Sequence, residues 1–407
     1  MYPFNSDPSG RPTASVFGAL GSAGDFDSRD AQYLLGWSTT NAIPAGRGAV
    51  GYLLRRARVT LTVATQSQFA YNPTIRDFRT YFPTNDSRYL PPAISGFPLE
   101  LFGVGFRGGF TGSEGSFIPY TATNYPQNGP WAASPGGGFF TNRVAYAAGF
   151  DTRGVLVDVS NNVADDGTNE SATAFEVAPF AVGQTSHVAP GEALTPGSRI
   201  TFDLNLDDPL VQSYVRQGLN QGQLRLMLTS LVPASMSGAP AFPSFFTPFS
   251  LVARPDQYPL LDIEGSVMRP EVDTDSDGLP DDWENFHFGS LLHPAEEDAD
   301  GDLASNLAEY QVGTRPTSSA SVHRLISLTT GENFAEIRFT CAPDVAPAVQ
   351  WSEDLRNWHS PENAQIFYTS DWLSKSSPAP SYPAPVYNLW RDEGTTGPHR
   401  FYRVITP

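Results

Sequence analysis

The chain has 407 residues, 36 of them Gly and 36 Pro, and its 27 Phe, 16 Tyr and 7 Trp are too many for a disordered polypeptide. Its formal net charge is −18, with 25 basic against 43 acidic side chains, which excludes a basic surface for nucleic acid. A single cysteine, Cys341, excludes a disulfide framework within the chain, and no apolar run of about 20 residues is present to span a bilayer.

This length predicts two or three domains. The high Gly and Pro content, with only 17% charged residues, predicts a loop-rich, mostly β protein. Residues 1–12 read as a polar tail, 13–265 as a large β domain, 266–320 as a metal-binding linker and 321–407 as a small β domain. The stretch Met1–Arg11 lacks the apolar core of a signal peptide, so an export signal is expected to lie outside this sequence.

In chain order, the first strand is expected at Ala31–Ser38. Residues Arg56–Ala64 alternate, with Ala57, Val59, Leu61 and Val63 on one face, the period of a half-buried strand. Further strands are expected at Glu100–Arg107, Val144–Phe150, Val155–Val159, Ala174–Val182, Arg199–Leu206 and Gln223–Leu231. Between the last two, Asp208–Gln221 reads as a helix. Asp207 or Asp208 caps it, Pro209 fits its first turn, and Leu210, Val211, Tyr214, Val215 and Leu219 form its apolar stripe. Many strands, long loops and one helix predict a large jelly-roll-like β-sandwich.

No nucleophile elbow, zinc helix or phosphate-binding glycine loop occurs. The acids Asp25, Asp27, Asp30, Asp203, Asp207 and Asp208 are explained by capping and loop hydrogen bonds, and the chain is expected not to be an enzyme. The loop aromatics Tyr120, Tyr125 and Trp131 are the candidates for a glycan-stacking platform.

The strong chemical signal lies at 271–309, where 13 acidic side chains stand without a Lys or Arg. Residues Asp273-Thr274-Asp275-Ser276-Asp277-Gly278-Leu279-Pro280-Asp281-Asp282-Trp283-Glu284 fit the twelve-residue, EF-hand-like calcium loop position by position. Asp273, Asp275 and Asp277 supply oxygens at the first, third and fifth positions. Gly278 makes the turn, Leu279 offers its carbonyl, Asp281 acts through a water, and Glu284 closes the shell with both oxygens. A second copy starts 25 residues on, with Asp298, Asp300, Asp302, the Ala304 carbonyl, Asn306 and Glu309. There Leu303 replaces the turn glycine, and a left-handed Leu costs about 1 kcal/mol or more. A solvated acidic linker explains the charge but not spacing that recurs. One or two Ca2+ ions are therefore expected. Each loop feeds a short helix, at Asp281–Phe288 and Ser305–Val312, with Trp283, Phe286, Leu307 and Tyr310 packing together.

The two loop-plus-helix units resemble the duplicated calcium segments of dockerins and the aspartate-rich repeats of the thrombospondin type 3 kind in bacterial surface proteins. That resemblance implies calcium at the acidic positions just named. Strands at His323–Thr329, Ala335–Cys341, Val349–Ser352 and Arg400–Ile405 predict a small C-terminal β-sandwich. Its stretches Trp351–Trp358 and Phe401–Val404 resemble a C-terminal module of large secreted bacterial proteins, which implies extracellular display.

The expected function is an extracellular, calcium-binding structural or surface-display protein without catalysis, secreted or at the cell surface. A carbohydrate-binding protein and a subunit of an extracellular filament are the alternatives. The expected partners are copies of the chain itself or cell-surface polysaccharide. Calcium is expected to stiffen residues 266–320 as a joint whose flanking domains move independently once it is removed.

Overall fold

The alternating run falls on a strand at Tyr52–Thr62 and runs two residues past its end, and Ala57, Val59, Leu61 and Val63 are fully buried. In the computed structural model, the described residues are 11–18, 31–81, 84–106, 145–150, 156–159, 177–233, 240–322, 325–331, 334–340, 348–359, 387–393 and 400–405.

The body of the protein contains β1 (Thr13–Ser15), β2 (Tyr33–Ser38), β3 (Tyr52–Thr62), β4 (Glu100–Phe106), β5 (Ala145–Phe150), β6 (Leu156–Asp158), β7 (Ala181–Val182) and β8 (Arg199–Asp203). Helix α1 (Pro209–Asn220), β9 (Gln223–Thr229), β10 (Ser244–Phe246) and β11 (Leu260–Val267) follow. A six-stranded sheet runs β2-β9-β4-β5-β6, with β7 beside β4. A three-stranded sheet runs β11-β3-β8, and β1 pairs with β10. All named pairs are antiparallel.

These sheets are open, and the fold is mixed α/β. The jelly-roll β-sandwich expected from strand count is not what forms. Alternation says which face of a strand is buried, but not which strands become neighbours. Helix α1 is the element that changes the architecture. Asp208 caps it, accepting from the Leu210 amide at 2.8 Å, and Pro209 opens it as expected. The expected stripe is buried, but so are Gln212, Ser213, Arg216 and Gln217 on its polar side. The helix is thus enclosed between the β9 sheet and further chain, not laid on a surface. Tyr214 ties it in, its hydroxyl donating to the Arg225 carbonyl and accepting from the Val104 amide, both at 2.8 Å.

Strand β11 escapes the sequence pattern. Asp262 and Glu264 interrupt its apolar run, and both pair with Arg56 on β3, at 3.0 and 3.6 Å. A bulge falls between Glu264 and Gly265. A Cβ at Gly265 would stand 2.2 Å from the Leu53 carbonyl oxygen, so only glycine lets the two backbones approach there.

The C-terminal part holds β12 (Leu325–Gly331), β13 (Phe334–Thr340), β14 (Ala348–Ser352), β15 (Tyr387–Glu393) and β16 (Phe401–Ile405). It too forms open sheets, β12-β13-β15 and β14-β16, in place of the expected small sandwich. Among the described residues their shared core is Ile337, Phe339 and Val349 with Tyr402 against it, while Leu325 and Leu328 face solvent. Two complete inner faces, which a sandwich needs, are not formed by these side chains.

Candidate metal centre

Two loops between β11 and the C-terminal sheets repeat one hydrogen-bond plan. In the first, Asp273 accepts from the amides of Ser276 (2.8 Å) and Gly278 (3.1 Å), and Asp277 accepts from the Leu279 amide (2.8 Å). In the second, Asp298 accepts from Gly301 (2.8 Å) and Leu303 (2.9 Å), and Asp302 from Ala304 (2.8 Å). The amides of Asp281 and Asn306, at matching positions, return to the carbonyls of Val272 and Glu297. Asp273 and Asp298 spend both carboxylate oxygens on loop amides, whereas Asp277 and Asp302 spend only Oδ1 there. Gly278 takes a φ of 98°, and Leu303 takes 78° at the same position, so the leucine does adopt the strained left-handed turn. Its side chain is 95% exposed, so packing does not offset the strain.

Helices α2 (Asp281–His287) and α3 (Asn306–Val312) carry Glu284 and Glu309, the expected closing ligands. Ser305 caps α3 by accepting from the Ala308 amide, and Gly313 ends it in the left-handed region. Each helix buries its glutamate at the fourth residue. Glu284, Asn306 and Glu309 are fully buried. Among the described residues, both carboxylate oxygens of Glu284, Oδ1 of Asn306, Oε2 of Glu309 and Oδ2 of Asp277, Asp300 and Asp302 have no hydrogen-bond donor.

Buried acceptors without donors are costly, more so when charged. Here they stand beside two aspartate triads, Asp273/Asp275/Asp277 and Asp298/Asp300/Asp302, each with one oxygen per residue within 4.8 Å of the others. Each triad could hold one divalent cation, and the all-oxygen donors around it fit such an ion. The structure thus brings each aspartate triad together, and the two copies differ at the ninth loop position. Asp281 has both oxygens occupied by the amide and hydroxyl of Thr274, whereas Asn306 keeps its oxygen free and fixes its amide group on the Pro294 carbonyl. Tyr120, Tyr125 and Trp131, the candidate glycan platform, lie outside the described residues.

Without an ion the carboxylates repel. Burial first, then Asp275, Asp277, Asp281 and Asp273, push Glu284 up to about 7. Burial, then Asp300 and Asp302, push Glu309 up to about 8. A carboxyl raised in the folded state contributes stability that is full below its unfolded pKa and is lost as pH rises through the folded one. Chelator-treated protein is therefore expected to melt higher at about pH 5.5 than at about pH 8.5. Metal-loaded protein is expected to do the reverse, because protons compete with the ion for the same oxygens. Melting curves at both pH values, with and without chelator, check this. Parallel trends in the two samples would mean that these glutamates do not face the metal.

The segment also docks on the body. Leu279, Trp283 and Ala295 share one core with Leu53 of β3 and with Met268. Arg55 donates to the Phe286 carbonyl at 2.7 Å, and its guanidinium lies 4.4 Å from the centre of the Phe286 ring. Burial, then the charges of Arg216, Arg315 and Arg55, push His287 down to about 3, so it stays neutral inside this contact. No sequence period announces the docking, because Leu53 and Arg55 lie more than 200 residues from their partners.

The docking corrects the resemblances drawn from the loops. The chain enters the first loop from a strand, β11, and not from a helix, so an EF-hand helix pair is absent among the described residues. The apolar helix faces that a dockerin would present to a partner are turned inward, with Trp283 only 2% exposed. No helix among the described residues is long and apolar enough to cross a membrane. The chain matches no family model, and neither a curated protein nor a solved structure matches it, so no dockerin, thrombospondin type 3 or secreted-module kinship is supported and two aspartate clusters fit for a divalent cation are what it carries.

Proposed function

We propose that the chain is a non-catalytic structural protein that works outside the cell and holds its fold with two calcium ions. The observation that carries this is the set of fully buried, donor-less oxygens on Glu284, Asn306 and Glu309 beside the two aspartate triads. The metal class follows from the donors. All are oxygens, which disfavours soft metals. The first loop offers Asp273, Asp275, Asp277, the Leu279 carbonyl and both oxygens of Glu284. That is the six-to-eight-oxygen shell of calcium; magnesium keeps most of its waters and takes one or two carboxylates. The chain's partner in this reading is a further copy of itself or a surface polysaccharide.

Terbium luminescence tests the metal assignment, because Trp283 sits next to Glu284 and can sensitise a lanthanide in the first loop. Terbium emission excited through tryptophan should appear on addition to chelator-treated protein. It should be displaced by calcium and far less by equal magnesium. Equilibrium dialysis should give two calcium ions per chain. Absence of bound calcium at about 10 mM, beyond the weakest extracellular sites, would sink the reading.

A further inference from the structure

We propose that the second metal cluster and the buried contact of Arg216 form one thermodynamic unit: an ion held by Asp298–Glu309 clamps the segment onto helix α1 and strand β3. The inference rests on the calcium reading above and goes beyond it, since it makes the segment a clamp on the body and not a free joint.

A short path of bonds runs from ligand to body. Glu309 receives the Thr314 hydroxyl on Oε1 at 3.1 Å, and its carbonyl receives the amides of Gly313 (2.8 Å) and Thr314 (3.0 Å). The Gly313 carbonyl accepts from Nη1 of Arg216. The same guanidinium donates through Nε to the Tyr52 carbonyl at 2.8 Å, at the start of β3. Arg216 is 4% exposed and Thr314 1% exposed, so the path runs through the interior. Gly313 must stay a glycine here, because its φ is 77° and a Cβ would stand 2.8 Å from Nη1 of Arg216. Beside this path, Arg315 pairs with Asp207 at 2.7 Å, just before α1, and the Arg315 amide donates to the buried Ser321 hydroxyl at 3.0 Å.

A backbone shift at Glu309 is therefore passed to Gly313, whose carbonyl receives Arg216. With an ion, Glu309 is held in the middle of α3 and the Gly313 carbonyl is presented to the guanidinium. When the ion leaves, repulsion among Asp298, Asp300, Asp302 and Glu309 pushes against that geometry. Coupling of this kind is reciprocal: whatever docking gains from the ion, the ion gains from docking.

Two measurements test the clamp. Hydrogen exchange on the whole wild-type chain, with calcium and with chelator, should show slower exchange with calcium in α1 and β3 as well as in 273–314. Protection gained only in 273–314 while calcium binds would overturn the proposal. In the second, Glu284→Gln isolates the second site, and adding Arg216→Met should weaken its remaining calcium binding about tenfold. An affinity within twofold of the Glu284→Gln protein would overturn the clamp while leaving the metal reading intact. Should the double variant not fold, the wild-type exchange decides. Failure of the wild-type chain to bind calcium would overturn both readings.

Discussion

Calcium added to chelator-treated protein at neutral pH is expected to raise its melting temperature by roughly 10–20 °C. An ion that binds only the folded state at about 100 times its Kd contributes about 2.7 kcal/mol per site, and two sites contribute about 5. Each kcal/mol moves the midpoint by about 2–4 °C for a domain of some 150–250 residues. The physical source is the donor-less oxygens of Glu284, Asn306 and Glu309, whose burial costs free energy that a bound cation would offset. Helices α2 and α3 have seven residues each, too short to persist in water unaided. Their order must come from the ion, from Trp283 and Leu279, and from the body beneath them. Glu284→Gln should remove about half of the calcium-dependent rise. Scanning calorimetry reads both effects, and a chelator-insensitive melt would mean that no ion holds the buried carboxylates.

The other large effect is expected far from the loops. Phe102→Ala should cost about 3–5 kcal/mol, because the site has no means of collapsing onto the hole. Phe102 on β4 is fully buried in the main core. Two glycines stand next to it, one facing each side of the sheet. A Cβ at Gly149 would lie 3.1 Å from the Phe102 ring and 2.5 Å from Val177. A Cβ at the adjacent Gly103 would lie 2.8 Å from the Tyr214 ring and 2.9 Å from Phe180. Phe180 is held edge-on to Tyr214, with ring centres 5.0 Å apart, and stacked on Phe150 at 5.7 Å. On the face that Phe102 occupies, Gly149 sets bare backbone beside the ring, so no side chain stands there to move in, while Gly103 faces the other side of the sheet, where Phe180 and Tyr214 pack. Urea unfolding in saturating calcium measures the loss, and a value under about 1.5 kcal/mol would show that the helix and sheet relax together.

These two results concern features that differ in how legible they are from residues alone. Ligand spacing in the loops is local. The turn at Gly278 or Leu303 and the return of position nine to the residue before the loop follow from a dozen neighbours, so twelve residues specify them. The ends of α1 and α3 are local too, set by Asp208, Pro209, Ser305 and Gly313. Alternation likewise identified β3 and its buried face. Strand neighbours were not legible, because hydrogen-bonded pairing in a sheet is blind to distance along the chain. Strand β11 stands beside β3 across about 200 residues, hidden by two acids that answer to Arg56.

By itself, then, the sequence determined where oxygen ligands gather and which segments can be helix or strand, since both depend on contacts within a few residues. Only the tertiary structure decided that the sheets stay open and that α1 is buried on its polar side as well. It also decided that the metal segment is seated on Leu53, Arg55 and Arg216 instead of swinging between domains. Those outcomes depend on excluding water from side chains brought together across the whole chain, and no local pattern encodes which surfaces will meet.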